Sequence, residues 1–205
     1  MFPGKIMLSI VLVCLSLMRI EAQNFKFGFV AGFVAANAHS ISNPERYTDY
    51  RVFYPMASLN VNGLIRYKKS DQNWGFSVEP GLIQKGGLIH ILDQKSRFRL
   101  NYFQLPVLAE IRLTDQLFLA AGPEFAYLLT SKGIGAFSQF KEKAFEISGM
   151  VGLHYRITEA LDIGLRYNHA ITSNSVLTWS DETGQPVGQS EIYNQYIQLV
   201  FRFKK

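Results

Sequence analysis

The chain has 205 residues, of which 48% are hydrophobic and 18% are charged, and its net charge is +5. Soluble domains carry about 25% charged residues, so the usual charged surface is reduced here. The positive charge is mild and comes without a basic run, which argues against a nucleic-acid partner. The only cysteine is Cys14. Disulfides and cysteine metal sites are therefore excluded from the rest of the chain.

The first predicted element is a secretory signal peptide over residues 1–22. Lys5 precedes an apolar run from Ile6 to Met18, and Ala22 is a small residue at a suitable cleavage position. An apolar run of about 13 residues is typical of a signal peptide and is shorter than the roughly 20 residues of a spanning helix. We therefore expect export, loss of the segment that contains Cys14, and one domain over residues 23–205.

Eight strands are predicted next, because apolar and polar residues alternate with a period of two. Each segment has about 11 residues or a little more, the length that a tilted strand needs to cross a bilayer. The segments are Phe25–Ala36, Ala57–Tyr67, Trp74–Lys85, Leu100–Leu113, Leu117–Leu129, Phe145–Ile157, Leu161–Ile171 and Tyr193–Phe203. The expected fold is all-β: a closed antiparallel eight-stranded up-and-down transmembrane barrel.

The connections between the strands alternate in length. Short links follow strands two, four and six, while longer polar segments follow the others, at residues 37–56, 86–99, 130–144 and 172–192. Outer-membrane barrels have short periplasmic turns and longer extracellular loops. The pattern therefore predicts the bacterial outer membrane as the location. A secreted soluble barrel that binds an apolar ligand between clustered loops is an alternative.

The large apolar side chains share one parity in every strand, and we expect them to face lipid. Eight strands enclose room for only one filling of side chains, which this set would exceed. The opposite parity combines very small residues with isolated charges, as a narrow interior requires. Aromatic side chains such as Trp74 and Tyr167 also cluster near strand ends on the apolar parity, as in the belts at membrane interfaces.

The charges on the inward parity are predicted to form a structural network in the lumen. An unpaired buried charge is strongly penalised, so these groups must pair with one another. The alternative is a narrow ion or proton path along the same groups. The predicted network consists of Lys26, Arg66, Glu79, Lys85, Glu110, Arg112, Glu124, Glu146, His154, Arg156, Asp162, Arg166 and Arg202.

Three prolines lie inside predicted strands. Pro80, Pro106 and Pro123 cannot donate a ladder hydrogen bond, and a closed barrel has no solvent edge to accommodate them. We expect a bulge or a strand break at each, with a possible change of parity.

Five segments resemble the small outer-membrane barrels of Bacteroidetes-type bacteria that are called PorT-like or "porin family". They are FKFGFVAGF in the first strand, EPGLIQKGG (79–87), LNYFQLPVLAEIRL (100–113), LFLAAGPEFAYLL (117–129) and LDIGLRYNHA (161–170). The resemblance covers nearly the whole exported part of the chain. It implies the barrel fold and the outer-membrane location, and it implies no single activity, because this family is functionally heterogeneous.

The outer rim carries the one candidate for catalysis. His169 lies on the outward parity, and Ser173 follows it. Lipid A deacylases carry a similar stretch in which a histidine activates a serine, but residue 171 is isoleucine here. We therefore expect a protein that is not an enzyme, with a lipid-modifying hydrolase as the alternative. No cofactor or metal motif occurs. The expected partners are membrane lipids and lipopolysaccharide, with an unidentified extracellular or periplasmic protein and no nucleic acid.

Overall fold

The computed structural model describes residues 24–43, 53–68, 72–91, 94–132, 140–180, 183 and 185–205. The predicted signal peptide lies outside these residues. In these ranges no helix is long and apolar enough to cross a membrane. The twelve strands are β1 (Phe25–Asn43), β2 (Phe53–Tyr54), β3 (Met56–Tyr67), β4 (Trp74–Val78), β5 (Gly81–Ile91), β6 (Gln94–Arg112), β7 (Leu117–Lys132), β8 (Phe140–Glu142), β9 (Phe145–Arg156), β10 (Leu161–Ala170), β11 (Ser175–Ser180) and β12 (Pro186–Lys204).

The strands form a closed antiparallel ring, which confirms the predicted fold class. Each strand pairs with its neighbour in the chain, from β3 through β4 and β5, β6, β7, β9 and β10 to β12. The first strand then closes the ring, because β1 pairs with β12 on one side and with β3 on the other. Closure leaves no strand edge in the hydrocarbon, where an unpaired backbone group costs several kcal/mol.

The short strands are continuations of longer ones. β2 and β3, β4 and β5, β8 and β9, and β10 and β11 each follow the same side of the barrel, so twelve strands make eight walls. The structure places two of the predicted short turns at residues 113–116 and 157–160, between consecutive strands. The third joins β3 to β4 and lies partly outside the described residues.

The predicted break at Pro80 is present and does not change the parity. Val78 pairs with Ile65, and Gly81 pairs with Asn62, so both strands advance by three residues across the gap. The Gly63 amide donates to the Pro80 carbonyl over 2.8 Å, which keeps the two strands joined. β4 and β5 therefore behave as one wall.

The other two prolines produce neither the expected bulge nor a strand break with a change of parity. Pairing between β6 and β7 stops after Pro106 and resumes at Ala109 without a shift, with Pro123 opposite the gap. The shift between these strands lies elsewhere, between Asn101 and Tyr102. A proline can thus be accommodated by losing a ladder hydrogen bond locally while the register is kept.

The large apolar side chains face outward along the membrane-crossing part of each wall, as predicted. Phe33 and Val61 are each 62% exposed and Leu165 is 58% exposed, whereas Arg166 and Arg202 are 1% exposed. Burial alternates residue by residue along β9 and β10. This orientation is stable only if hydrocarbon surrounds the outside of the ring.

The predicted long loops were overestimated, because the strands continue into them. β5 extends to Ile91, β6 begins at Gln94 and β12 begins at Pro186. In this outer extension the pattern is inverted: Phe98 and Leu100 are buried inside, while Arg97 points outward and is exposed. Above the membrane the outer surface meets water, so polar residues face out and apolar residues fill the interior. A prediction that requires apolar residues on the outer face therefore assigns such strands as loops.

Candidate functional site

Inward glycines make room for polar side chains on the neighbouring strand. A Cβ added to Gly164 would lie 2.3 Å from Nδ1 of its cross-strand partner His154, and one added to Gly152 would lie 2.6 Å from Cγ of its partner Arg166. Large polar side chains therefore occupy the volume that the glycines leave free. The lumen is filled by this pairing of small with large residues.

A cluster of five charges occupies the lumen near its periplasmic half. Arg166 donates two hydrogen bonds to Glu79, of 2.7 and 2.8 Å, and Arg202 also donates to Glu79. Arg202 reaches Glu110 over 2.7 Å, and Arg66 lies 2.6 Å from the other oxygen of that carboxylate. Each of these groups is at most 3% exposed. The chain Arg166–Glu79–Arg202–Glu110–Arg66 therefore crosses the barrel with three cations and two carboxylates, and Asp162 lies 3.9 Å from Arg66 at its end.

The periplasmic mouth is closed by a carboxylate and an aromatic ring. Asp162 accepts a hydrogen bond of 2.5 Å from Nζ of Lys204. The Phe118 ring lies beneath three cations, with the Arg156 guanidinium carbon 4.4 Å and Lys68 Nζ 5.0 Å from its centroid. Burial, together with the guanidinium of Arg66 and others nearby, lowers the pKa of Lys68, in the turn beyond β3, to about 8.

A second charge cluster lies further toward the outside. Lys85 donates to Glu124 and Glu146 over 2.7 Å each, and all three side chains are completely buried. The hydroxyl of Tyr196 also donates to Glu124, and Asn194 donates to Glu146 over 2.5 Å. These contacts satisfy two carboxylates with one ammonium and neutral donors, as a buried charge requires.

An apolar cluster covers this second charge cluster on the extracellular side. Tyr102 and Tyr196 are at most 2% exposed, and the Lys85 Nζ lies 5.0 and 5.4 Å from the two ring centroids. Phe98, Leu100 and Ile192 are buried in the same cluster. The interior therefore contains charged pairs along the membrane span and an apolar layer at the outer end, a layer that the polar interior predicted from the sequence did not include.

The structure places most of the predicted lumen charges inside the barrel. Ten are buried: Arg66, Glu79, Lys85, Glu110, Glu124, Glu146, His154, Asp162, Arg166 and Arg202. Arg112 and Arg156 are partly exposed at the periplasmic mouth, and Lys26 is exposed there, so Lys26 does not belong to the buried set. Its parity is inward, but it lies at the barrel end, where the lumen opens to water.

The sequence reasoning missed Lys204 and Phe118. Lys204 has the same parity as Arg202 and is 7% exposed, so continuing the alternation by two residues identifies it. Phe118 is an aromatic residue on the inward parity. The prediction missed it because aromatic rings were expected to face lipid. With Lys204 included, five cations and five carboxylates are buried among the residues that the structure describes.

The outer rim does not pair His169 with a serine. The His169 ring stacks on His39 at 5.0 Å, and its Nδ1 lies 3.1 Å from the Tyr167 hydroxyl. The Ser173 hydroxyl instead bonds to Lys143 and donates to Glu191 over 3.3 Å. Above the rim, a hydrogen bond from Tyr193 lowers the pKa of the Glu191 carboxyl. In the ranges that the structure describes, no hydrogen bond joins His169 to Ser173.

The sequence matches the family model for the outer membrane protein beta-barrel domain over residues 21–176. The chain belongs to this family. It is thus a bacterial outer-membrane barrel protein, in agreement with the closed ring and its apolar outer surface. Comparison with curated proteins gives no significant match.

Solved structures with a similar fold are also small outer-membrane proteins. OprG from Pseudomonas aeruginosa has 12% identity and a TM-score of 0.54, and the match covers 88% of this chain and 95% of OprG. AlkL, solved in lipid bilayers, has 14% identity, a TM-score of 0.49, and coverage of 87% and 90%. Ail of Yersinia pestis has 11% identity, a TM-score of 0.43, and coverage of 87% and 98%. At 12% identity the likeness to OprG concerns the fold alone.

Proposed function

We propose that this outer-membrane barrel is closed to solutes and acts through its outer surface and loops, as a structural or binding protein of the envelope. The observation that carries the proposal is the filled lumen. In the part of the chain that the structure describes, five buried cations and five buried carboxylates pair with one another, and an apolar layer lies above them. A solute would have to break several buried ion pairs, and breaking one such pair costs about 3–5 kcal/mol.

Two other functions receive less support. A narrow ion or proton path would follow the same charged groups, but Lys85 and its two carboxylates are completely buried and directly paired. A lipid hydrolase would need a base beside its nucleophile, whereas the contacts of Ser173 are with Lys143 and Glu191. We therefore favour a protein that is not an enzyme.

The proposal also includes a PorT-like family affiliation and a set of expected partners. The five segments quoted above support a PorT-like barrel, and the signal peptide over residues 1–22 remains a prediction. Membrane lipids and lipopolysaccharide are the expected partners along the wall. The outer extensions of β5, β6 and β12 offer a surface for an unidentified protein partner.

The experiment is to reconstitute the protein in planar bilayers and measure its conductance. Folding is first checked by gel migration, because a folded barrel gives a band that shifts on boiling. We expect little or no conductance from the wild type. Stable, reproducible conductance steps would contradict the proposal.

A pair of double variants makes the measurement specific to the lumen. Tyr102→Ala with Tyr196→Ala removes two buried inward rings, and Phe103→Ala with Ile197→Ala removes two outward side chains from the same strands. We expect only the inward pair to raise the conductance, because only it empties the space above Lys85. An equal effect of both pairs would point to leakage around the protein.

A further inference from the structure

A strip of basic side chains lies on the outer surface of β6 and β7, above the apolar band. Arg97 and Arg99 follow each other on the outward parity of β6, and Lys132 of β7 is the direct cross-strand partner of Arg99. Arg97 and Lys132 are exposed, and Arg99 is half-buried. We call these three residues the outer basic strip.

The outer basic strip has no counter-charge in the described part of the chain. Like charges directly opposite each other on paired strands are destabilising. In the ranges 24–43, 53–68, 72–91, 94–132 and 140–180 and in residues 183 and 185–205, no carboxylate lies within 4.0 Å of its cationic groups, whereas Lys143 on another wall has Glu191 at 3.4 Å. With no carboxylate of the described residues beside it, the strip is suited to bind an added anion.

The height of the strip above the hydrocarbon follows from its neighbours. Phe103 and Tyr127 are paired, exposed and outward, and lie near the top of the apolar band, which on β7 extends to Leu129, 52% exposed. Asn101 lies one outward position higher and donates to Thr130 over 2.8 Å, which begins the polar surface. Arg99 is four residues above Phe103, or about 13 Å along the strand and about 10 Å in height at a tilt of about 40°.

That height places the Arg99 backbone just above the headgroups of the outer leaflet. The polar zone on each side of the hydrocarbon is about 5–8 Å thick, so a long side chain that starts about 10 Å above the apolar band can reach down into it. Guanidinium groups bind phosphate in a bidentate manner, and an ammonium adds a point charge beside them.

We propose that the outer basic strip binds the phosphate groups of lipopolysaccharide in the outer leaflet. The occupant is assigned by the position of the strip near the headgroup level and by its positive charge, which no carboxylate of the described residues pairs. The proposal assigns a binding site to lipopolysaccharide, a partner that the outer-membrane location already leads us to expect. This assignment does not depend on whether the lumen conducts ions. A closed barrel without this site, or a conducting barrel with it, is physically possible, so the two proposals fail independently.

The test compares lipid retention by two double variants with the same change in charge. Arg99→Gln with Lys132→Gln removes two cations of the strip, and Lys26→Gln with Lys205→Gln removes two exposed cations at the periplasmic end. Each purified protein is incubated with bisphosphorylated lipid A or with lipid A lacking both phosphates. The lipid that co-purifies is then quantified by mass spectrometry.

We expect the strip variant to bind bisphosphorylated lipid A about three- to tenfold more weakly than the wild type, because two charge-assisted contacts are lost. The periplasmic variant should bind as the wild type does, and dephosphorylated lipid A should bind all three proteins equally. Equal retention by both variants would overturn the proposal. So would a strip variant that retains lipid A but loses binding to a sulfated polysaccharide, which would assign the strip to an extracellular glycan.

Both variants are checked for the heat-modifiable band of the folded barrel. If the strip variant does not fold, Arg97→Gln replaces it, since Arg97 is exposed and is paired with Leu88 of β5. A single substitution is expected to weaken binding by about two- to fivefold. Unchanged binding by folded Arg97→Gln would then overturn the proposal.

Discussion

At the residue scale, the lumen is specified by which small residue faces which large one. Gly164 is the direct partner of His154, and Arg166 of Gly152, so two adjacent rows of the lumen each combine a glycine with a large polar side chain. The Arg166 Nε also donates to His154 Nε2 over 3.2 Å, which joins the two rows. Loss of either glycine should therefore disturb the charge network beyond its own position.

We predict that Gly164→Ala destabilises the folded barrel by about 1–3 kcal/mol, the usual cost of overpacking an interior. The added Cβ would lie 2.3 Å from His154 Nδ1, so the ring must move away from residue 164, which disturbs its hydrogen bond with Arg166. The measurement is the free energy of unfolding in urea with the protein in lipid vesicles.

Gly149→Ala is the matched control, because a Cβ at Gly149 has nothing within 4 Å. It shares the loss of backbone freedom in the unfolded chain and lacks the contact in the lumen. We expect its stability to be unchanged or slightly raised. Equal destabilisation by the two substitutions would show that the space beside His154 is not filled as described.

The sequence predicts which charges point inward but not which of them meet. Glu79 and Arg166 are 87 residues apart and Glu79 and Arg202 are 123 apart, so their contact depends on the relative stagger of several strands. Alternation along one strand carries no information on that stagger. Lys26 shows the other limit, since parity alone does not tell where along its axis the lumen opens to water.

At the element scale, the alternation identifies a strand only where the outward face is apolar and the inward face is polar, as was assumed. In β10 the outward face meets lipid and the alternation identifies the strand over nearly its full length. In the outer part of β6, Arg97 faces water and Phe98 faces the interior. The strand continues there, although its pattern is the reverse of that in the membrane.

We predict that a disulfide can join the first and last strands. Ala31 of β1 is the direct partner of Phe201 of β12, and paired residues have Cα atoms about 4.5–5.5 Å apart, within the range that a disulfide spans. Ala31→Cys with Phe201→Cys should therefore cross-link on oxidation. The product is detected as faster migration of the denatured chain, which is lost on reduction.

A displaced pair gives the comparison for this experiment. Ala31→Cys with Leu199→Cys shifts the second cysteine by two residues along β12, to a diagonal distance of about 7–8 Å. We expect little cross-linking from it. Cross-linking that is equally efficient in both pairs, or absent from the first, would argue against the register that closes the ring.

At the scale of the whole molecule, the orientation of the wall decides where the protein resides. Trp74 at the start of β4 is 45% exposed and lies edge-on to Phe76, with ring centroids 5.4 Å apart. An outward tryptophan at a strand end belongs to the interface between lipid headgroups and hydrocarbon.

We predict that Trp74 fluorescence is quenched more by lipids brominated near the headgroup than by lipids brominated near the chain end. Trp179→Phe leaves Trp74 as the single tryptophan, since the chain has two. The reciprocal Trp74→Phe variant leaves Trp179 alone and gives its quenching for comparison. Quenching by neither lipid would place the Trp74 ring in water or inside the barrel.

The closure of the ring by β12 determines when the barrel can be assembled. This strand is synthesised last, yet it supplies the second edge for β1 and the cations Arg202 and Lys204. Until it arrives, two edges are unpaired, and Glu79, Glu110 and Asp162 are each without one of the cations that they contact in the folded barrel. In an incomplete chain, the unpaired backbone groups and the unpaired charges would both raise the free energy of insertion into the bilayer. Insertion must therefore wait for the complete polypeptide, and loss of the final strand should leave material for periplasmic proteases instead of a partial barrel.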